Sequence, residues 1–296
     1  MKHQTVHYPR IAPAIGWTVT ILLVVLAVLI GRDAFPEQTG LEPWWRMWLI
    51  AFASWLGFKT IAFLYCRPRP AFAFLLWPGM DAANFRKRKT EPLSNPVPPF
   101  AIALALMLGS AVLALAWMHF LTGESLRVTG ALGMIAIVSL LHFGLFALLA
   151  NGWNALGFAA EPLMHDPWRA ESLADFWGRR WNRGFSDIAR LAVFRPLVRK
   201  FGALTGTLAG FLVSGIAHEI VISLPARDGW GLPTLYFLIQ GTAVIGERRW
   251  LTTRPRLRRT LTWLVILAPS PLLFHPAFLT EVIAPVFQIP TPILLR

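Results

Sequence analysis

Seven stretches of this chain are long, apolar and nearly free of charge, and they leave one class of fold open. They cover 11–31, 45–66, 98–121, 128–150, 203–224, 231–246 and 260–279. A hydrocarbon layer about 30 Å thick is crossed by about 20 helical residues. Backbone N–H and C=O groups find no water there, so each crossing segment must satisfy its own, as a helix does. The expectation is an all-α, polytopic bundle of about seven transmembrane helices, forming a single membrane domain over 1–296. Charged residues make up only 15% of the chain, against about a quarter in a soluble domain, which excludes a soluble globular protein. The last stretch contains Pro269 and Pro271 and is expected to kink. Phe72 to Met80 is apolar but too short to cross, and reads as a re-entrant or interfacial segment.

The formal net charge of +13 could suggest nucleic acid, but the basic residues are distributed by span. Lys2 and Arg10 precede the first. Arg67, Arg69, Arg86, Lys87, Arg88 and Lys89 follow the second. Arginines from Arg169 to Arg199 follow the fourth, and those from Arg248 to Arg259 the sixth. The other side holds Arg32, Arg46, Arg127, Arg227 and Arg296. This alternation predicts a cytoplasmic N-terminus and an outer C-terminus, with no nucleic-acid partner. The Ala-, Leu- and Arg-rich composition leans toward a bacterial inner membrane. One cysteine, Cys66, excludes an intrachain disulfide. No small-residue cleavage site follows the first span, so it reads as retained.

Two pieces carry chemistry. The first lies on the longest connection, 159–201, predicted to be cytoplasmic. At 100° per residue, a helix from Phe176 to Arg190 puts Trp177, Trp181, Phe185 and Ile188 on one face. Arg179, Arg183, Asp187 and Arg190 fall on the other, as in a helix lying on a membrane surface. Ser172 and Asp175 are spaced as an N-cap and its third residue. Anionic lipid is the better-supported partner for these arginines on the helix alone, although Arg179, Arg180 and Arg183 also suit phosphates. Asn182 falls on the flank, where lipid anchoring has no use for an amide.

The second piece is Ser214-Gly-Ile-Ala-His218-Glu219, within the fifth span. Gly202, Gly206, Gly210, Ser214 and His218 recur every four residues and form one helical strip. Small residues so spaced are expected to admit a neighbouring helix, which turns His218 inward. Glu219 is costly at this depth unless paired or lining a wet cavity. A neutral imidazole is a reasonable general base for a hydroxyl. A metal site finds no support, since no second histidine follows His218 at four residues and no Cys/His cluster exists. Lys59 is expected to snorkel to its inner boundary. His142, Asn151, Asn154 and Gln240 read as bridges between helices.

Taken together, Phe176-Trp-Gly-Arg-Arg-Trp-Asn182 and Ser214-Gly-Ile-Ala-His218-Glu219 resemble the wax synthase branch of the membrane-bound O-acyltransferases. The resemblance covers 163–247 as a motif-bearing core. It implies transfer of a fatty acyl group from acyl-CoA, as co-substrate, to a lipid-soluble hydroxyl, within membrane lipid and with no tightly bound cofactor. It implies catalytic roles for His218 and Asn182, with Trp177, Arg179, Arg180, Trp181, Arg183, Ser214 and Glu219 around the substrates. Two alternatives stand beside it: a proton-coupled lipid transporter or flippase using His218 and Glu219 as a relay, and a non-catalytic scaffold. Acceptor identity, acyl length and oligomeric state are not readable from the sequence.

Overall fold

Each of the apolar stretches becomes helical, but they differ in what they pack against. The structure, a computed structural model, describes residues 12–33, 42–66, 71–82, 96–123, 125–250 and 254–287. Lys2, Arg10, Arg67, Arg69, Arg86, Lys87, Arg88, Lys89 and Arg296, on which part of the topology expectation rests, lie outside the described residues. Helix α1 (Ala12–Asp33) packs along α2 (Pro43–Cys66), and α4 (Pro99–Leu121) packs along α5 (Leu126–Ala155). Between them the short α3 (Ala71–Leu76) folds onto the bundle, with Ala73, Phe74 and Trp77 fully buried. Only 17% of the apolar window of α4 is buried, as suits a helix whose face meets lipid. Helix α5 passes through π-helical turns at Val138–Leu145.

Among the described residues four helices are long and apolar enough to cross a membrane: Pro43–Tyr65, Pro99–Leu121, Leu126–Ala155 and Arg183–Ala226. A fifth exists if Pro255–Leu273 and Phe278–Phe287, bent by 66°, form one broken span. The protein is an integral membrane protein on this ground. The expected count of about seven goes beyond these helices. Ala14–Ile30 is apolar but shorter, and the 231–246 stretch becomes a helix that buries Tyr236, Gln240 and Glu247.

Ahead of that bend, Pro255–Leu273 is itself interrupted at Pro269, and this interruption has a chemical cause. The remaining helices are α6 (173–180), α7 (Arg183–Ala189), α8 (Arg195–Ala226), α9 (Leu232–Trp250) and α10 (Pro255–Leu267). Pro269 follows α10 and has no N–H to return to the carbonyl four residues back. That carbonyl, of Val265, instead accepts from Gln240 Nε2 at 2.7 Å, and the Ile266 carbonyl accepts from the Tyr236 hydroxyl at 3.2 Å. A polar face on α9 therefore exists to complete a broken neighbour.

Lys59 corrects an expectation. It does not snorkel; it is fully buried, and its ammonium donates to the carbonyls of Phe74 at 2.7 Å and Gly79 at 2.5 Å. A short helix ends there, where Pro78 has no N–H to offer the Phe74 carbonyl four residues back, and a buried cation that meets that carbonyl is satisfied where it stands. Of the residues read as bridges between helices, Gln240 does link separate helices; Asn151 instead bonds both backbone groups of Val97, just ahead of α4, and Asn154 bonds the carbonyls of Ala150 on its own helix and Ala160 just beyond it.

Candidate active site

The connection expected on the surface is folded into the bundle. Leu163 and Ile188 are buried in one cluster with Ile61, Phe74 and Trp77, and Phe185 meets Phe58 edge to face at 5.6 Å between centroids. Two backbone bonds, His165 N–H to the Arg180 carbonyl and Arg183 N–H to the Leu163 carbonyl, tie its two limbs together.

The single amphipathic helix expected over Phe176–Arg190 is broken. Trp181 is extended (ψ 126°) and Asn182 is left-handed (φ 43°, ψ 59°). Asparagine enters that region more readily than most residues because its short amide bonds locally. Here the Asn182 amide oxygen accepts from Phe185 N–H at 3.3 Å, so it caps α7. Asn182 thus lies at a helix junction, not on a flank. Helix α6 is capped from two sides: Ser172 Oγ accepts from Asp175 N–H at 2.9 Å, and the buried Glu247 carboxylate accepts from Leu173 N–H at 2.6 Å.

The arginines expected at the donor mouth are already engaged. Arg179 and Arg180 both donate to Asp175, at 2.8 and 2.6 Å, and Arg183 pairs with Glu161. Arg180 also reaches the Asp166 carbonyl at 3.2 Å. Burial alone would raise the Asp175 carboxyl. The Arg180 hydrogen bond, the Glu171 N–H and the two guanidinium charges outweigh it and hold the carboxyl below its usual value. Trp181 is sandwiched between Phe176 and His142, with centroids at 5.4 and 6.1 Å and near-parallel planes. It lies away from the cavity.

That cavity, of ≈ 260 Å³, runs between α6, α7, α8 and α9. Trp177, Phe185, Gly210, Phe211, Ser214 and Phe237 form much of its wall. Arg190 and Arg248, both exposed, are its cationic groups. Sequence periodicity puts Arg190 on the charged face of a membrane-surface helix, and span alternation makes Arg248 part of a topology signal; the π-turn at Arg190–Phe194 shifts the phase of the helix just where Arg190 stands. Trp177 is held by its indole N–H, which donates to Gln240 Oε1 at 3.2 Å.

His218 stands directly behind the cavity wall. Its ring lies 4.4 Å from that of Phe237, and its Nδ1 is 2.7 Å from the Ser214 carbonyl oxygen. A carbonyl oxygen only accepts, so Nδ1 carries the proton and Nε2 presents a lone pair in the neutral ring. Ser214 therefore contributes its backbone to His218 and its position to the cavity wall.

Glu219 has a different task from the one expected of it. Its carboxylate accepts from Gly231 N–H at 2.7 Å, and from the N–H and hydroxyl of Thr234 at 3.3 and 2.9 Å. These are the free donors at the start of α9, so Glu219 caps that helix. It faces away from the cavity because adjacent helical residues diverge by about 100°.

The glycine strip also reads differently. Gly202 adopts φ 85°, ψ 170°, which breaks α8; this region is open essentially to glycine alone. The close helix approach occurs off the strip, at Gly215, where a Cβ would sit 2.8 Å from Thr234 Cα. Gly210 and Ser214 face the cavity instead. Among the described residues no three His, Cys, Asp or Glu side chains converge to hold a metal ion.

Residues 160–239, which hold both motifs, match the profile of the Membrane bound O-acyl transferase family. A probable long-chain-alcohol O-fatty-acyltransferase 9 of Arabidopsis thaliana is 31% identical over 214 residues, 66% of this chain. The matched region spans 62% of that relative's own length. A second Arabidopsis relative, probable long-chain-alcohol O-fatty-acyltransferase 3, is 27% identical over 78% of this chain and 74% of its own. The long-chain-alcohol O-fatty-acyltransferase of Simmondsia chinensis is 32% identical over 120 residues, 36% of this chain and 34% of its own. The motif loop and the histidine helix both lie inside the region that matches the membrane-bound O-acyltransferase family, and the relatives to which this chain is similar are long-chain-alcohol O-fatty-acyltransferases.

Proposed function

We propose that the protein transfers a fatty acyl group from a coenzyme A thioester to the hydroxyl of a long-chain lipid alcohol, with His218 as general base. The observation that carries this reading is the Nδ1 bond from His218 to the Ser214 carbonyl, beside a largely apolar cavity. It leaves Nε2 as an acceptor for a hydroxyl proton. In the step envisaged, Nε2 takes the alcohol proton while the oxygen attacks the thioester carbonyl carbon. The C–S bond then breaks, the ester forms, and the thiolate takes the proton back from the imidazolium as free thiol. Surrounding apolar side chains keep water from hydrolysing the thioester.

Arg190 and Arg248 take the donor's phosphates in this reading, in place of Arg179, Arg180 and Arg183, whose charges are matched by Asp175 and Glu161. Trp177 lines the route. Asn182 acts by setting the junction between α6 and α7, which places both the Trp177 wall and the Phe185 wall. We further propose that Ala14–Ile30 and Leu232–Trp250 also cross the bilayer, giving seven passes with the arginine-rich cavity mouth in the cytoplasm of a bacterial cell.

The test is ester formation by purified protein supplied with a fatty acyl-CoA and a long-chain alcohol. Wild type is expected to form the ester and His218→Ala to lose turnover by at least about a hundredfold, the usual scale for removing a general base. In the same assay Arg190→Ala and Arg248→Ala raise KM for the acyl-CoA. An undiminished His218→Ala rate would sink the assignment.

A further inference from the structure

We propose that Gly210 sets the length of hydrocarbon chain that the cavity accepts; this rests on the acyl-transfer reading. A glycine inside a helix costs about 1 kcal/mol relative to alanine, so its presence calls for a reason in its surroundings. Two neighbours on α8 show such reasons. A Cβ at Gly206 would lie 2.5 Å from Val198 Cγ2 and 3.2 Å from Phe194, and a Cβ at Gly215 would strike Thr234. Gly210 shows none: its backbone is ordinary helix, and nothing lies within 4 Å of where its Cβ would be.

The open space beside Gly210 belongs to the cavity. Gly210 lies one helical turn from Ser214 and two from His218, on the same strip, so it shares the cavity wall with Ser214 and Phe237, behind which the imidazole stands. Gly178, on α6, also lines the cavity and also has open space at its Cβ position. No protein group explains the missing side chain at Gly210. A ligand does, and the walls of Phe211, Phe237 and Phe185 fit an apolar one. The chemistry is a flexible hydrocarbon chain, carried by either the acyl donor or the alcohol.

A graded series, Gly210→Ala, Gly210→Val and Gly210→Leu, tests this in the ester assay. Gly152→Ala serves as a control, since Gly152 is exposed on α5 with open space and away from the cavity. One arm varies acyl length at fixed alcohol, and the other varies alcohol length at fixed acyl-CoA. The expected result is a stepwise shift toward shorter chains in one arm only, which names the chain concerned. With Gly210→Leu, kcat/KM for the longest chain falls about tenfold or more relative to the shortest, the scale at which an apolar pocket rejects extra methylenes. Loss that is uniform across chain lengths, or an unchanged length profile, overturns the proposal while leaving acyl transfer intact. A wild type that forms no ester overturns the underlying reading instead.

Discussion

Gln240→Leu is the change that reaches both the fold and the site. Gln240 is fully buried; its Nε2 donates to the Val265 carbonyl and its Oε1 accepts from the Trp177 indole. Leucine of similar volume removes both partners and leaves a part-buried carbonyl and a part-buried N–H unpaired. Each such orphan costs about 1–3 kcal/mol in a protein interior, so the upper bound is about 6 kcal/mol. Hydrogen bonds between membrane helices average nearer 0.6 kcal/mol, with a maximum near 1.7, because the opened state also finds partners. We therefore expect a loss of about 1–3 kcal/mol, measured by denaturant titration in mixed micelles. A double-mutant cycle isolates the bridge: Trp177→Phe keeps a ring and removes only the donor. The coupling between the two changes is expected at about 0.6–1.7 kcal/mol. Strict additivity would mean that Trp177 and Gln240 do not share a bond, and would refute the wiring of the motif helix to α9.

Two further changes separate capping from chemistry. Glu219→Ala removes the acceptor for Gly231 and Thr234 and is expected to lower stability by about 0.5–2 kcal/mol, as loss of a helix cap does, while Glu219→Gln retains most of it. Loss of turnover in Glu219→Gln at unchanged stability would contradict the capping role. Asp175 supplies the pH test. Its folded pKa is depressed, so its contribution is present above the unfolded value near 3.8 and is lost as pH falls through the lower folded value. The stability gap between wild type and Asp175→Asn should therefore be full at neutral pH and shrink below about pH 3.8, read by thermal unfolding across an acid series. A gap that stays constant to the most acid point would show that the guanidinium pairing is not its source.

The helices and the position of the histidine were legible because they follow from local rules: apolar length, four-residue periodicity and the Ser172 cap. What the sequence withheld was set by distant partners. Glu219 looks like an exposed liability until the start of α9, twelve residues on, is brought over it. Lys59 looks like a snorkelling cation until α3 ends against it. The arginine face around Arg179 looks vacant because its neutralising carboxylates come from different turns and from Glu161, across the fold. Asn182 is the hardest case. A helical-wheel calculation presumes the helix continues, and between Phe176 and Arg190 the signals against it are Gly178 and Gly184, each costing a helix about 1 kcal/mol, and the tolerance of asparagine for left-handed geometry.

One difficulty in the sequence was depth: the motif loop belongs to the surface, whereas His218 lies about 22 Å into its span at 1.5 Å per residue. The cavity answers it along α9. From Arg248 at the rim to Phe237 beside His218 is eleven residues, or about 16 Å of helix. The same helix holds the motif at both levels, through Glu247 to Leu173 and through Gln240 to Trp177, and its start is clamped by the residue next to His218. In the proposed reaction a charged donor group stays near the rim while its acyl carbon travels inward, and α9 sets the distance between the two. Because the clamps are separate hydrogen bonds, loosening any one should misalign donor and imidazole before it unfolds the bundle. Turnover should accordingly fall more steeply than stability in Gln240→Leu, and an equal fall in both would show that α9 holds the bundle together without aligning the site.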